Sequence, residues 1–202
     1  MTGLWGDHPT IYDDLTSLYP LSVYNSTYWS DGILPLFQAM VPETARPYFG
    51  QLSSIIGDFS IKCPSWFAAV GNSIAGAPTW KLFFDAGTKL HVATENYLIG
   101  TSGSTFNPQL EYLMKNYFIS FFINMDPNKV VSGLEAAPAI RPTWLEYKGS
   151  VPQGSSGYYQ QETKPKPQVL HLRDKSIDTM DDPDDNEKCR FFVSNARSVF
   201  HI

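Results

Sequence analysis

The stretch Trp80-Lys-Leu-Phe-Phe-Asp-Ala-Gly-Thr-Lys-Leu-His91-Val-Ala-Thr-Glu95-Asn-Tyr-Leu-Ile-Gly100-Thr101 decides how the chain is read. Its opening, Trp80 to Phe84, is short, apolar and aromatic and is bounded by Pro78 and Gly87, a pattern that predicts a buried strand. That strand delivers His91 into a loop. Imidazole carries protons near neutral pH, so His91 is the candidate catalytic residue, although most loop histidines are structural and this one gains meaning only from its partners.

A hydrolytic triad pairs such a histidine with a serine nucleophile and an orienting carboxylate. On the α/β-hydrolase fold these follow in the order Ser, acid, His, with the serine in Gly-x-Ser-x-Gly on a strand-to-helix turn. The chain contains no Gly-x-Ser-x-Gly. The nearest approach, Gly71-Asn-Ser73-Ile-Ala75, continues a helical pattern and precedes the strand, so Ser73 is a poor nucleophile candidate.

Working outward, residues 1–50 are broken by Pro20, Pro35, Pro42 and Pro47 into short helices and turns, including the helix-like Ile33 to Met40. Residues 51–148 hold the strand, the histidine loop and two helical patterns. One runs through Ile55, Phe59, Cys63, Phe67, Val70 and Ile74, interrupted at Pro64, and predicts one kinked helix or two abutting ones. The other, Leu110, Leu113, Met114, Tyr117, Phe118, Phe121, Phe122 and Met125, is a core or packing helix ending at Asp126-Pro127-Asn128. Residues 149–202 read as a loop, a short strand at Val169 to Leu172, an acidic loop from Asp174 to Glu187, and a terminal helix over Cys189 to Ala196. Helices interspersed with separated strands suggest an α/β layout.

Several function classes fall away. A net charge of -5 offers no basic footprint for nucleic acid. No run of eighteen apolar residues predicts a membrane span, and the start has no signal-peptide pattern. Asp182-Pro-Asp184-Asp-Asn186 opens like a calcium loop, but Glu187 stands where the sharp turn needs Gly and Val193 where a bidentate Glu is needed, so a solvated acidic loop is expected. His8, His91, His171 and His201 have no metal-ligand spacing; no metal or cofactor is expected. Cys63 and Cys189 leave open one long-range disulfide or two reduced thiols. Asn25-Ser-Thr27 is an N-glycosylation sequon, relevant in a secreted chain.

Taken together, Phe59-Ser-Ile-Lys-Cys63-Pro64, Trp80 opening a strand, His91, and Tyr97-Leu-Ile-Gly100-Thr101 resemble the C-terminal part of type-B carboxylesterases and lipases, including their cholinesterase and fungal members. Tyr117 to Asn128 is similar to the family's segment ending in an Asp-Pro turn. Pro142-Thr-Trp144-Leu-Glu-Tyr147 is similar to its Trp-Pro-x-Tyr, and Cys189-Arg-Phe-Phe192 to its Cys-x-Phe-Trp. The likeness runs from about residue 55 to 195. It implies the C-terminal portion of an α/β-hydrolase fold, a single partial domain with an incomplete parallel sheet flanked by helices.

The resemblance also implies that His91 is the catalytic histidine and that Cys63 pairs with Cys189. The family's acid three positions after the histidine is replaced by Thr94, with Glu95 one place on. By the family's layout the serine elbow, oxyanion glycines and catalytic acid would precede Met1; Asp58 and Asp85 do not occupy the acid's position. The expectation is therefore a serine carboxylic-ester hydrolase region that is inactive alone and takes an ester substrate only when its N-terminal part is supplied. The alternative is a non-enzymatic interaction protein derived from that fold, pairing with a partner or with itself through an uncovered sheet edge. The family is mostly secreted.

Overall fold

A computed structural model describes residues 9–24, 40–87, 93–100, 107–133, 141–149 and 165–195. The chain divides into two compact units, one comprising residues 1–77, 148–167 and 183–202, the other residues 78–147 and 168–182. The α/β class holds: helices accompany a three-stranded sheet.

The first unit contains helices α1 (Pro9–Leu18), α2 (Arg46–Gly57), α3 (Cys63–Ile74) and α6 (Glu187–Ser194), with short 3-10 turns at Leu21–Tyr24 and Glu43–Ala45. The interruption expected near Pro64 is a π-turn, Asp58–Lys62, joining α2 to α3. The Cys63 N–H reaches back to the Asp58 carbonyl, and Pro64 falls in the first turn of α3, where a missing N–H costs nothing. Tyr19, Cys63, Trp66, Val70, Cys189 and Phe192 are buried in this unit.

Tyr19 is its polar hub. Its phenol donates to Asp58 Oδ2 at 2.8 Å, its carbonyl accepts from Gln51 Nε2 at 2.6 Å, and the Lys188 ammonium stands 4.4 Å from its ring centroid. Burial, then the hydrogen bond to Asp58, drives the Tyr19 phenol far above its ordinary range. Cys63 and Cys189 form a disulfide between α3 and α6, closing 126 residues of sequence.

The second unit is built on β1 (Leu82–Asp85), β2 (Gln168–Arg173) and β3 (Ser176–Asp181), with α4 (Ala93–Leu98) and α5 (Pro108–Asn124). The sheet order is β1-β2-β3, with Leu82 opposite Leu170 and Leu170 opposite Thr179. It is mixed, not wholly parallel as expected: β1 runs parallel to β2, while β2 and β3 are antiparallel. Two residues, Asp174 and Lys175, separate β2 from β3, and so short a connection allows only a hairpin.

Alternation along the strands splits the sheet into two faces. Leu82, Phe84, Leu170, Leu172 and Ile177 share one face and pack in a cluster with Ala86, Tyr97, Leu110, Met114, Tyr117 and Trp144. The opposite face carries Lys81, Phe83, Asp85, Val169, His171, Arg173, Asp178 and Met180.

Helix α5 starts where its sequence says it should. The Asn107 side chain accepts from the Gln109 and Leu110 amides, Pro108 sits in the first turn, and the helix ends at Met125 in a left-handed conformation. The loop residue Trp144 is tied in by its indole N–H to the Lys81 carbonyl at 3.0 Å, and by two bonds with the Asn128 side chain. Its ring meets Tyr117 edge-on at 5.5 Å. Among the described residues no helix is long and apolar enough to cross a membrane.

Candidate functional site

His91 and Asn25 lie outside the described residues, as do His8, His201 and most of the helix-like piece from Ile33 to Met40. The described site is the frame from which the histidine loop leaves and to which it returns. It leaves from β1 through Ala86, fully buried, and Gly87, and it returns at Ala93, the first residue of α4.

Gly87 is required here on two counts. Its φ is +63°, a region that L side chains enter only at a cost, and a Cβ built on it would stand 3.2 Å from Tyr97 Oη. Its N–H donates to Asp174 Oδ1 at 2.7 Å, so the β2–β3 turn holds the exit of β1. The same turn is held to the N-cap of α5, because Asn107 Nδ2 donates to the Asp174 carbonyl.

Tyr97 closes the corner, packing edge-on against Phe84 at 5.2 Å. Its phenol is buried and makes no hydrogen bond among the described residues. Burial raises its pKa, reinforced by the nearby Asp174 and Glu111 carboxylates. A neutral, buried phenol beside the loop exit can donate a hydrogen bond but is a poor base.

The other sequence candidates are held in structural roles. Ser73 lies within α3, where its hydroxyl accepts from the Gly149 N–H at 2.9 Å, and not on a strand-to-helix elbow. Asp58 accepts from Tyr19 and pairs with Lys62 at 3.0 Å. Asp85 stands on β1, with Oδ2 3.6 Å from His171 Nε2.

The acidic segment is the clearest correction. In place of a solvated loop, residues Ser176–Asp181 form strand β3, and Asp182, Asp184 and Asp185 are buried. Each of the fully buried pair, Asp182 and Asp185, has a cation. Asp182 takes both carboxylate oxygens to Lys81 Nζ at 2.7 and 2.9 Å and accepts from the Tyr147 phenol at 2.8 Å. Asp185 takes Arg190 at 2.6 Å, and Asn186 caps α6. These acids are structural ion-pair partners, and no metal-holding group of three His, Cys, Asp or Glu exists among the described residues.

Sequence reasoning missed the Lys81–Asp182–Tyr147 cluster and the carboxylates flanking His171. The alternation in Ser176-Ile-Asp-Thr-Met-Asp181 was the available signal for β3; the 101-residue separation of Lys81 and Asp182 offered none. The second unit also holds a cleft of about 590 Å³, lined in part by Asn107, Leu110, Arg141, Asp174 and Lys175. Compared with known proteins, the chain matches no family model, no curated protein and no solved structure.

Proposed function

We propose that this chain is the C-terminal region of a serine carboxylic-ester hydrolase of the type-B carboxylesterase and lipase kind, on an α/β-hydrolase fold, carrying the catalytic-histidine position at His91. The observation that carries this reading is the Cys63–Cys189 disulfide, the pairing that the ordered motifs imply. The support is wider than one bond. A short aromatic strand parallel to its neighbour runs into a glycine turn four residues before His91, and Trp144 and Tyr147, the matching residues of the Trp-Pro-x-Tyr segment, are buried.

Ester cleavage needs more than this chain supplies. The imidazole takes the serine proton and returns it to the leaving alcohol, while an oxyanion hole supplies much of the rate enhancement. With Ser73 on a helix and no Gly-x-Ser-x-Gly in the sequence, a lone histidine gives weak general-base assistance at best. Purified chain is expected to leave p-nitrophenyl esters uncleaved and Ser73 unlabelled by a fluorophosphonate. Hydrolysis that His91→Ala abolishes would overturn the inactivity.

A second reading, a non-enzymatic interaction protein on the same fold, is favoured by one observation. On the outer side of α5 and just beyond it, Phe122, Ile123 and Met125 are 75%, 62% and 69% exposed. Co-purification of this chain with a discrete partner, without ester chemistry in the complex, would favour it; hydrolysis in the complex would return the case to the first.

A further inference from the structure

The cleft of about 590 Å³ in the second unit is lined by the first turns of α5, by the β2–β3 turn, and by Arg141 and Pro142. Leu110, Leu113 and Ile177 give it apolar lining. Its polar parts are held in place from within the unit. Asp174 ties the turn to the Gly87 N–H through its carboxylate and to the Asn107 side chain through its carbonyl. Arg141 Nη2 donates to Ser120 Oγ at 3.0 Å and to the Pro127 carbonyl, and the guanidinium lies over the Tyr117 ring.

We propose that this cleft binds a small amphipathic carboxylic acid, its carboxylate held by Arg141 and Lys175 and its hydrocarbon part laid on Leu110, Leu113 and Ile177. The Arg141 side chain is half-buried, yet both of its hydrogen-bond acceptors are neutral. Among the described residues no carboxylate pairs with it, and its Nε–H is buried without an acceptor. A charge drawn out of water ordinarily has a counter-charge beside it. A carboxylate in the cleft supplies one, and its two oxygens match the planar fork of a guanidinium.

The charge balance selects the ligand. Arg141, Arg173, Lys175 and Asp174 are the charged residues that line the cleft, and Arg173 is already paired with Asp178. Arg141 and Lys175 against Asp174 leave one surplus positive charge, in a chain whose net charge is -5. One carboxylate balances that surplus, whereas a doubly charged phosphate exceeds it and meets the Asp174 carboxylate. The volume is that of a small-molecule site, and the apolar lining favours a hydrocarbon chain on the acid. This inference is independent of the esterase reading.

The test is an NMR titration of the isotope-labelled full chain with hexanoate, hexanol and inorganic phosphate. Hexanoate is expected to move the Gln109, Lys175 and Ser176 amides along a saturating curve, and hexanol at the same concentration is not. Lys175 is exposed and holds no other side chain among the described residues, so its variants should fold. Lys175→Gln should weaken hexanoate binding about two- to fivefold, the scale of one exposed charge, and Lys175→Glu should abolish saturation. Arg141→Gln should abolish it too; if that variant does not fold, the two Lys175 variants decide. Equal shifts with hexanol, shifts that do not saturate or that lie outside the cleft, or wild-type binding by Lys175→Glu overturns the proposal. Phosphate that saturates the same amides more tightly than hexanoate overturns the choice of a carboxylate.

Discussion

Cys63 and Cys189 are joined across 126 residues of sequence, and both are almost fully buried, at 2% and 1% exposure. The bond fixes the start of α3 to α6, and Phe192, one turn further along α6, packs against Phe59 in the π-turn at 5.6 Å. Thiol counting on unreduced, unfolded protein should find no free thiol. Replacing both cysteines by serine should cost about 2–5 kcal/mol in a denaturant titration, mainly through the released unfolded chain. Two free thiols in the native preparation would remove the bond from the account.

Lys81 and Asp182 are 6% and 0% exposed, so neither can be rescued by water when the other is removed. Asp182→Ala should cost about 3–5 kcal/mol, because it removes the carboxylate that the buried Lys81 ammonium and the Tyr147 phenol both bond. The double variant Lys81→Met, Asp182→Leu should lose less than the sum of the single losses. Additive losses in that cycle would show that the two side chains do not interact.

Gly87→Ala should destabilise the second unit by about 1–2 kcal/mol, since it forces a Cβ into the left-handed region and against the Tyr97 hydroxyl. Adding Tyr97→Phe removes the nearest atom and should recover part of the loss. A neutral Gly87→Ala in a chemical-denaturation curve would contradict the corner described here.

At alkaline pH the buried phenols set the limit. Tyr117 is pushed from 10.0 up to about 12, mainly by burial, which outweighs the lowering influence of Arg141 stacked 4.5 Å from its ring centroid; Tyr19 and Tyr97 are raised as well. A raised pKa favours the protonated form in the fold, so this stabilisation is complete below about pH 10 and is lost as pH rises toward 12. Melting temperature should fall steeply over that interval, and Tyr117→Phe should fall less steeply. A flat profile to pH 12 would contradict the burial of these rings.

The parts of the fold that sequence made legible are those whose signals are local. The stripe from Leu110 to Met125 became α5, with Asn107 and Pro108 marking its start, and the break at Pro64 became the π-turn between α2 and α3. Trp80 to Phe84 gave β1, displaced to Leu82–Asp85. The acidic segment was misread because buried aspartates are rare without partners, and the partner of Asp182 lies on the far side of the sequence at Lys81. The two carboxylates beside His171 were equally invisible, since strand register alone brings Asp85 and Asp178 to one ring.

The central claim, that this chain belongs with a serine esterase whose nucleophile it does not itself carry, is tested most directly by sequencing the transcript upstream of the Met1 codon. The account predicts an in-frame reading that encodes a Gly-x-Ser-x-Gly motif and, after it, a catalytic acid. An upstream reading frame that is open but encodes no such motif, or a stop codon directly preceding Met1 in a chain that folds alone and binds no esterase partner, would contradict it.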